Sequence, residues 1–273
     1  MKKIIGIILA IITVVTCVFA FAGCSSIKDP SPAGIKEYGS LVIATNATFP
    51  PFEYQDENGN IVGWDMDIAA EFAKKLGVEL VIENMKFDSV LIAPGKGKAH
   101  IAMAGISRSD ERDEYLDFTQ GVFDSSQVII VKEDSTITGP MDLAGKVIGV
   151  QQATVGQLLG EMDADWAYYK NDKGETVAAL GEPKDVKPFS TGAAAVADLV
   201  QGKVDAVIID KFPAQKFVES NPGTKILEET VLDDTYAFAV KEGNKELVDW
   251  LNAAIDAMKA DGTLDAINKK YFG

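Results

Sequence analysis

The stretch Ala102–Thr119, AMAGISRSDERDEYLDFT, gathers the residue types needed to hold a small anion. The apolar run His100-Ile101-Ala102-Met103-Ala104 reads as a buried strand, and the pattern breaks at Gly105. Ser107, Ser109 and Asp110 then offer side-chain oxygens suited to capping the first turn of a helix. A strand ending in glycine before a helix start leaves several backbone N–H groups aimed into one small space, partly positive from the helix dipole. Arg112 falls in the same first turn, where its planar fork can hold a carboxylate through two parallel hydrogen bonds. The stretch alone equally allows a plainer role, with Arg112 paired to a neighbouring Asp or Glu on a solvated face.

Three more apolar runs end in polar groups. Leu41-Val42-Ile43-Ala44 leads into Thr45-Asn46-Ala47-Thr48-Phe49-Pro50-Pro51-Phe52, where two prolines forbid further regular pairing and stiffen the backbone. Val147–Val150 leads into Gln151-Gln152-Ala153-Thr154-Val155-Gly156, before a further helix. Val204–Asp210 is a buried strand that delivers Asp210 to its C-terminal end, where the carboxylate either receives a cation or caps the helix that follows.

These ends must be positioned by the elements around them. Asp65–Leu76 places Ile68, Phe72 and Leu76 on one face, with Asp65 as a cap and Gly77 just past the end, so a helix is expected. Val78–Ile82 follows as a strand, and Phe87 opens a short helix that Pro94-Gly95 stops. Asn58-Gly59 sets a tight hairpin between Glu53-Tyr54 and Ile61-Val62. Further on come strand 127–131, helix 191–201, a helix from Pro213, strand 236–240 and the amphipathic helix Asn244–Ala260. Segment 161–188 is the least periodic part and reads as a surface excursion with a turn around Asn171 to Gly174. Strands and helices alternate throughout, which argues for parallel sheets covered on both faces, with ligands beyond the C-terminal strand ends. Asn46, Gly105, Gln151 and Asp210 all fall at such ends.

Two spacings are discounted. Gly95-Lys96-Gly97-Lys98 lacks the phosphate-loop pattern, and Asp56-x-Asn58-x-Asn60 has its glycine misplaced for a calcium loop.

The N-terminus is an export signal: a basic start at Lys2-Lys3, an almost wholly apolar run from Ile4 to Phe21, then Ala22-Gly23-Cys24. Phe21–Cys24 resembles a lipobox, in which the chain is cut before the cysteine and Cys24 carries the lipid, although Phe21 departs from the usual small aliphatic residue. The alternative is an uncleaved helical anchor, since the run approaches the roughly 20 residues that span a bilayer. Ser25 to Gly39 lacks periodicity and reads as a short flexible tether, residues 24–38. With Cys17 in the signal and Cys24 acylated, the body keeps no cysteine for disulfides, thiolate metal sites or nucleophilic catalysis. Cleavage removes 23 residues, including Lys2 and Lys3, and leaves 250 with a formal charge of −17. That charge argues against nucleic acid, whose phosphates need a basic face.

Several segments together resemble the extracellular solute-binding proteins of amino-acid ABC importers, the polar amino-acid branch. They are TNATFPPFEY (45–54), GWDMDIAAEFAKKLG (63–77), AGISRSDERDEYLDFT (104–119), GKVIGVQQATVG (145–156), GKVDAVIID (202–210) and MKADGTLDAINKKYFG (258–273). The resemblance implies an α/β, two-lobed periplasmic-binding-protein-like fold of type II, each lobe a mostly parallel sheet flanked by helices. The first lobe would combine 39–126 with 232–273 and the second would be 127–231, with Phe123 to Gln127 and Leu232 to Tyr236 as hinges. It implies that Arg112 clamps a ligand α-carboxylate, helped by Gly105 and Ser107 from one lobe and Thr154 from the other. Asp210 would receive the α-ammonium, Phe49 and Phe87 would wall the ligand, and Asn46 stands where an Asp often contacts its side chain. The partners implied are an amino acid, an ABC permease with its cytoplasmic ATPase, and the membrane through the lipid. The protein would be a monomer without a cofactor, on the outer face of the cell membrane, or in the periplasm of a cell with an outer membrane.

Asn46 in place of Asp removes a charge and so disfavours a cationic ligand, Val155 removes one hydrogen bond, and segment 161–188 looks longer than usual. Two rival roles remain: a dehydratase on the same fold and a sensor without transport. The dehydratase needs a group poised near neutral pH, and His100 at the start of a buried strand reads as structural, which leaves a perturbed Asp or Glu.

Overall fold

The computed structural model describes residues 26–163, 166–170 and 173–273. The export signal and Cys24 lie outside the described residues. Among those described, no helix is long and apolar enough to cross a membrane.

The chain is α/β and builds two principal sheets, one in each lobe. The first has the order Glu79–Asn84, Ser40–Thr45, Ile101–Ala102, Ala239–Lys241, Leu116–Phe118. Its first three strands are parallel, and Ala239–Lys241 returns antiparallel between its two neighbours. The second has the order Asp185–Phe189, Val147–Gln151, Ala206–Asp210, Phe123–Lys132, Thr224–Ile226, with Leu232–Tyr236 also on Phe123–Lys132. Again the strands that alternate with helices are parallel, and those that pair with the long Phe123–Lys132 strand are antiparallel. The sheets are therefore mixed: alternation of strand and helix predicts only their parallel halves, because the crossing strands return in the opposite sense. Leu232–Tyr236 and the first half of Phe123–Lys132 pair from Leu232↔Gln127 to Tyr236↔Phe123, forming the crossing between the sheets.

The crossing is backed by aromatic rings. Phe123 and Tyr236 stack with centroids 6.3 Å apart, and Phe272 of the C-terminal helix Thr263–Phe272 lies 4.6 Å from Phe123. Phe212, from the helix Lys211–Ser220, meets Phe272 at 5.1 Å and so joins the second sheet's helix to the first sheet's. Such edge-on and tilted pairs contribute about 0.5–1.5 kcal/mol each beyond the area they bury.

Three local expectations are corrected. The tether contains a helix, Pro32–Tyr38, capped by Ser31, with Ile35 fully buried in the main core. A seven-residue helix shows little periodicity, so its one inward isoleucine is easily missed. Asp65 does not hold the cap position of the helix Trp64–Leu76; Gly63 does, at φ 138°, where a Cβ would stand 2.1 Å from the Phe52 carbonyl oxygen. Segment 161–188 carries an exposed hairpin, Tyr168–Lys170 with Thr176–Ala178, but ends in Asp185–Phe189, an edge strand of the second sheet. Asn171 and Asp172, at the expected turn, lie outside the described residues. The Asn58-Gly59 hairpin forms as expected, with Tyr54 opposite Val62 and Gly59 at φ 80°. His100 is fully buried, and its Nδ1 accepts the Val42 N–H at 2.9 Å, a structural use.

Candidate ligand-binding site

The strand ends converge on one narrow cavity between the two sheets, nearly filled by its own side chains, with about 10 Å3 of free volume. All nine residues singled out from the sequence line it: Asn46, Phe49, Phe87, Gly105, Ser107, Arg112, Gln151, Thr154 and Asp210.

Arg112 sits in the one-turn helix Asp110–Asp113, whose start is capped by Ser109; the Ser109 hydroxyl oxygen accepts the Arg112 N–H. The side chain is buried, with Nη1 donating to the Ser107 carbonyl at 2.6 Å and Nη2 to the Ala153 carbonyl at 2.9 Å. Its Cζ lies 5.8 Å from the centre of the Phe87 ring. Among the described residues no carboxylate lies within ion-pair distance of Arg112; the neighbouring Asp113 takes Arg108 instead, at 2.7 Å. Two of the five guanidinium donors are thus bound to neutral carbonyls, one from each side of the cleft. Burial works against the charged form of this arginine.

Asp210 ends the buried strand Ala206–Asp210 and stands at the cap position of Lys211–Ser220 without capping it. Its Oδ1 accepts from Gln127 Nε2 at 2.8 Å and from the Tyr236 hydroxyl at 2.6 Å. Burial, with Asp234 nearby, pushes the carboxyl up to about 7. Burial first, and then the same contact with Asp210, hold the Tyr236 hydroxyl well above its usual range.

The other walls are fixed just as tightly. Gly105 adopts φ +55° directly beneath Phe49, whose Cε1 would be 2.7 Å from any added Cβ. Ser107 donates to Asp234 Oδ2 at 2.6 Å. Thr154 caps the helix Val155–Gly160, and its hydroxyl also donates to the Gln151 carbonyl at 2.7 Å. Asn46 is bonded within the protein at both ends of its amide: Nδ2 donates to the Met85 carbonyl, and Oδ1 accepts from Thr48 at 2.8 Å and Gln151 at 3.3 Å. The last bond crosses the cleft, so a ligand reaching Asn46 Oδ1 would displace Gln151.

Sequence reasoning missed the acids beneath the cleft. Glu53 lines the cavity and is fully buried, with the carboxyl of Asp65 as its hydrogen-bonding neighbour. Asp65 is buried beside it and accepts the Gly105 N–H at 3.4 Å. Burial drives the Glu53 carboxyl well above the usual range, with Asp65 and Asp210 adding to it, and burial lifts Asp65 to about 7. Gln127, also on the cavity wall, leaves its Oε1 buried and unpartnered. Glu53 occupies a three-residue strand and Asp65 a helix's first turn, positions where acids are ordinarily solvated, so only their meeting in space marks them. Among the described residues no group of His, Cys, Asp or Glu is arranged to hold a metal ion.

The sequence profile of Bacterial extracellular solute-binding proteins, family 3, matches residues 41–273. The chain belongs to that family. It is 27% identical to the Arginine-binding extracellular protein ArtP of Bacillus subtilis over 270 residues, covering 96% of each chain. Among solved structures, an ancestral arginine-binding protein bound to arginine matches with TM-score 0.75 and 38% identity, over 86% of this chain and 99% of that one. An ancestral amino acid-binding protein described as a precursor of cyclohexadienyl dehydratase matches with TM-score 0.76 and 28% identity, over 89% and 99%. Members of this family with such relatives share the two-lobed α/β fold of type II periplasmic binding proteins, as the paired sheets here do.

Proposed function

We propose that this protein captures an amino acid in the cleft and delivers it to an ABC permease with its cytoplasmic ATPase. The observation that carries the reading is a buried Arg112 without a carboxylate partner facing the same cavity as a buried Asp210. A zwitterion supplies both missing partners: its carboxylate completes the arginine fork, and its ammonium takes Asp210, whose two protein bonds both fall on Oδ1. Gly105, Ser107 and Thr154 flank the carboxylate, and Phe49 and Phe87 wall the carbon chain. The contacts come from both sides of the cleft, so the ligand favours the closed form. In this reading 39–126 with 232–273 and the docked Pro32–Tyr38 helix form one lobe, 127–231 the other, and the crossing strands are the hinge. The protein is a monomer anchored outside the cell through Cys24 and is not an enzyme.

The acids sharpen the ligand class. Gln127 leaves one buried oxygen without a donor at the cavity wall, and the Glu53 carboxyl, raised by burial and by Asp65, takes up its charge only beside a cation. A side chain that is all donor, an ammonium or guanidinium, would satisfy them. This outweighs the loss of charge at Asn46, whose amide is already bonded, and accords with the arginine named for the relatives. Isothermal titration of the protein without residues 1–25 tests it: arginine or lysine should bind at least tenfold more tightly than glutamine, roughly the 1.4 kcal/mol expected of one charged hydrogen bond. Glu53→Gln should erase that preference. Tighter binding of glutamine would refute the cationic ligand.

The dehydratase reading keeps one supporting observation, carboxyls poised near neutrality at Asp65 and Asp210. Recovery of bound ligand chemically unchanged after prolonged incubation excludes it, and conversion would establish it.

A further inference from the structure

The body begins almost at the anchor. Ile27 donates its N–H to the Gly97 carbonyl at 2.8 Å, and Ser26 Oγ packs so close over Gly97 that an added Cβ would stand 2.4 Å from it. Asn244 Nδ2 donates to the Pro30 carbonyl at 3.0 Å, and Ser31 then starts the docked helix that buries Ile35. Only residues 24–26 therefore separate the anchored cysteine from the folded surface, a reach of at most about 10 Å. That is close to the Debye length of about 8 Å at physiological ionic strength, so charges beside Gly97 lie within the field of a lipid surface.

Those charges are mostly lysines, with Asp29 the one acid of the docked segment 26–31. Lys28, Lys96 and Lys98 are exposed at this contact, and among the described residues none of them pairs with a carboxylate. The chain carries 41 Asp and Glu with a net charge of −15, yet no acidic residue occurs between Asp88 and Asp110. Ile92, whose carbonyl accepts the Lys96 N–H, is 50% exposed on the same turn. A strongly acidic protein thus presents lysines and an apolar side chain where its chain leaves for the membrane.

We infer that this face, Lys28, Lys96, Lys98 and Ile92, rests against anionic lipid headgroups and fixes how the tethered protein stands on the membrane. The inference rests on the anchoring proposed above. The short reach brings the face to the surface, and attraction to anionic headgroups selects it over the acidic remainder.

The test uses the full chain, purified with its anchor and reconstituted into vesicles containing phosphatidylglycerol. A fluorophore is placed at Ile92→Cys or, on the exposed hairpin of the other lobe, at Tyr169→Cys, and a quencher is carried on lipid headgroups. Quenching should be several-fold stronger at position 92. It should fall toward the level at 169 in about 0.5 M salt, where the Debye length shrinks to about 4 Å, and in the variant K28E/K96E/K98E. Equal quenching at the two positions, in protein that floats with the vesicles and carries acylated Cys24 by mass spectrometry, overturns the placement and leaves the anchor intact. Protein that neither floats nor carries lipid overturns both. An unchanged melting temperature of the lysine variant separates loss of contact from loss of fold.

Discussion

Burial acts in opposite senses on the two charged ends of the cleft. Arg112 loses hydration but starts so far above neutrality that it stays charged, while Asp210 is lifted to about 7. Arg112→Ala should therefore weaken binding of the amino acid by roughly 2–5 kcal/mol, the range for removing one partner of a buried charge pair. Titration calorimetry reads this directly, and an unchanged affinity would take Arg112 out of the site. The carboxyls also set the stability of the ligand-free protein. Asp65, Asp210 and Glu53 hold their protons to higher pH when folded than when unfolded, so the folded state binds more protons between about pH 4 and 7. Stability is fully present below the unfolded carboxyl range and is lost as pH rises through about 7, with each tenfold change in a dissociation constant equivalent to about 1.4 kcal/mol. His100, held neutral down to about 4 by burial, acts in the opposite sense below its unfolded value, one group against three. The ligand-free protein should melt lower at pH 8 than at pH 5; a higher melting point at pH 8 would contradict the assignment.

Strand ends were the legible elements. A polar residue after an apolar run shows in one dimension, and Asn46, Gly105, Gln151 and Asp210 reach one cavity because parallel strands end on the same side. Glu53 and Asp65 were not legible, because their significance arises where a short hairpin strand meets a helix's first turn. Asn46 was legible in place but not in role, since its bond to Gln151 crosses the cleft. Pro32–Tyr38 hid for a different reason, that so short a helix is stabilised by docking more than by propensity. Its importance can be measured: Ile35→Ala should lower unfolding stability by about 2–5 kcal/mol, the usual cost of emptying a core isoleucine site. A change below about 0.5 kcal/mol, the level of surface substitutions, would return the segment to the tether.

At the scale of the molecule, the two sheets are joined by one antiparallel crossing and a ring cluster, and otherwise meet through the cleft. Arg112 to Ala153 and Gln151 to Asn46 are among the polar links that bridge the cleft here, and both belong to residues that line it or adjoin it. In the proposed reading, the groups that bridge the cleft are the ones the ligand would engage. The most direct measurement is a thermal-shift screen of the protein without residues 1–25, stripped of ligand by unfolding and refolding, against the common amino acids. A ligand that binds only the folded state adds about 2.7 kcal/mol at a hundredfold excess over its Kd. The predicted result is a rise in melting temperature confined to one or a few amino acids, largest for those with cationic side chains and absent in Arg112→Ala. No rise with any amino acid would contradict the claim that this cleft closes on one.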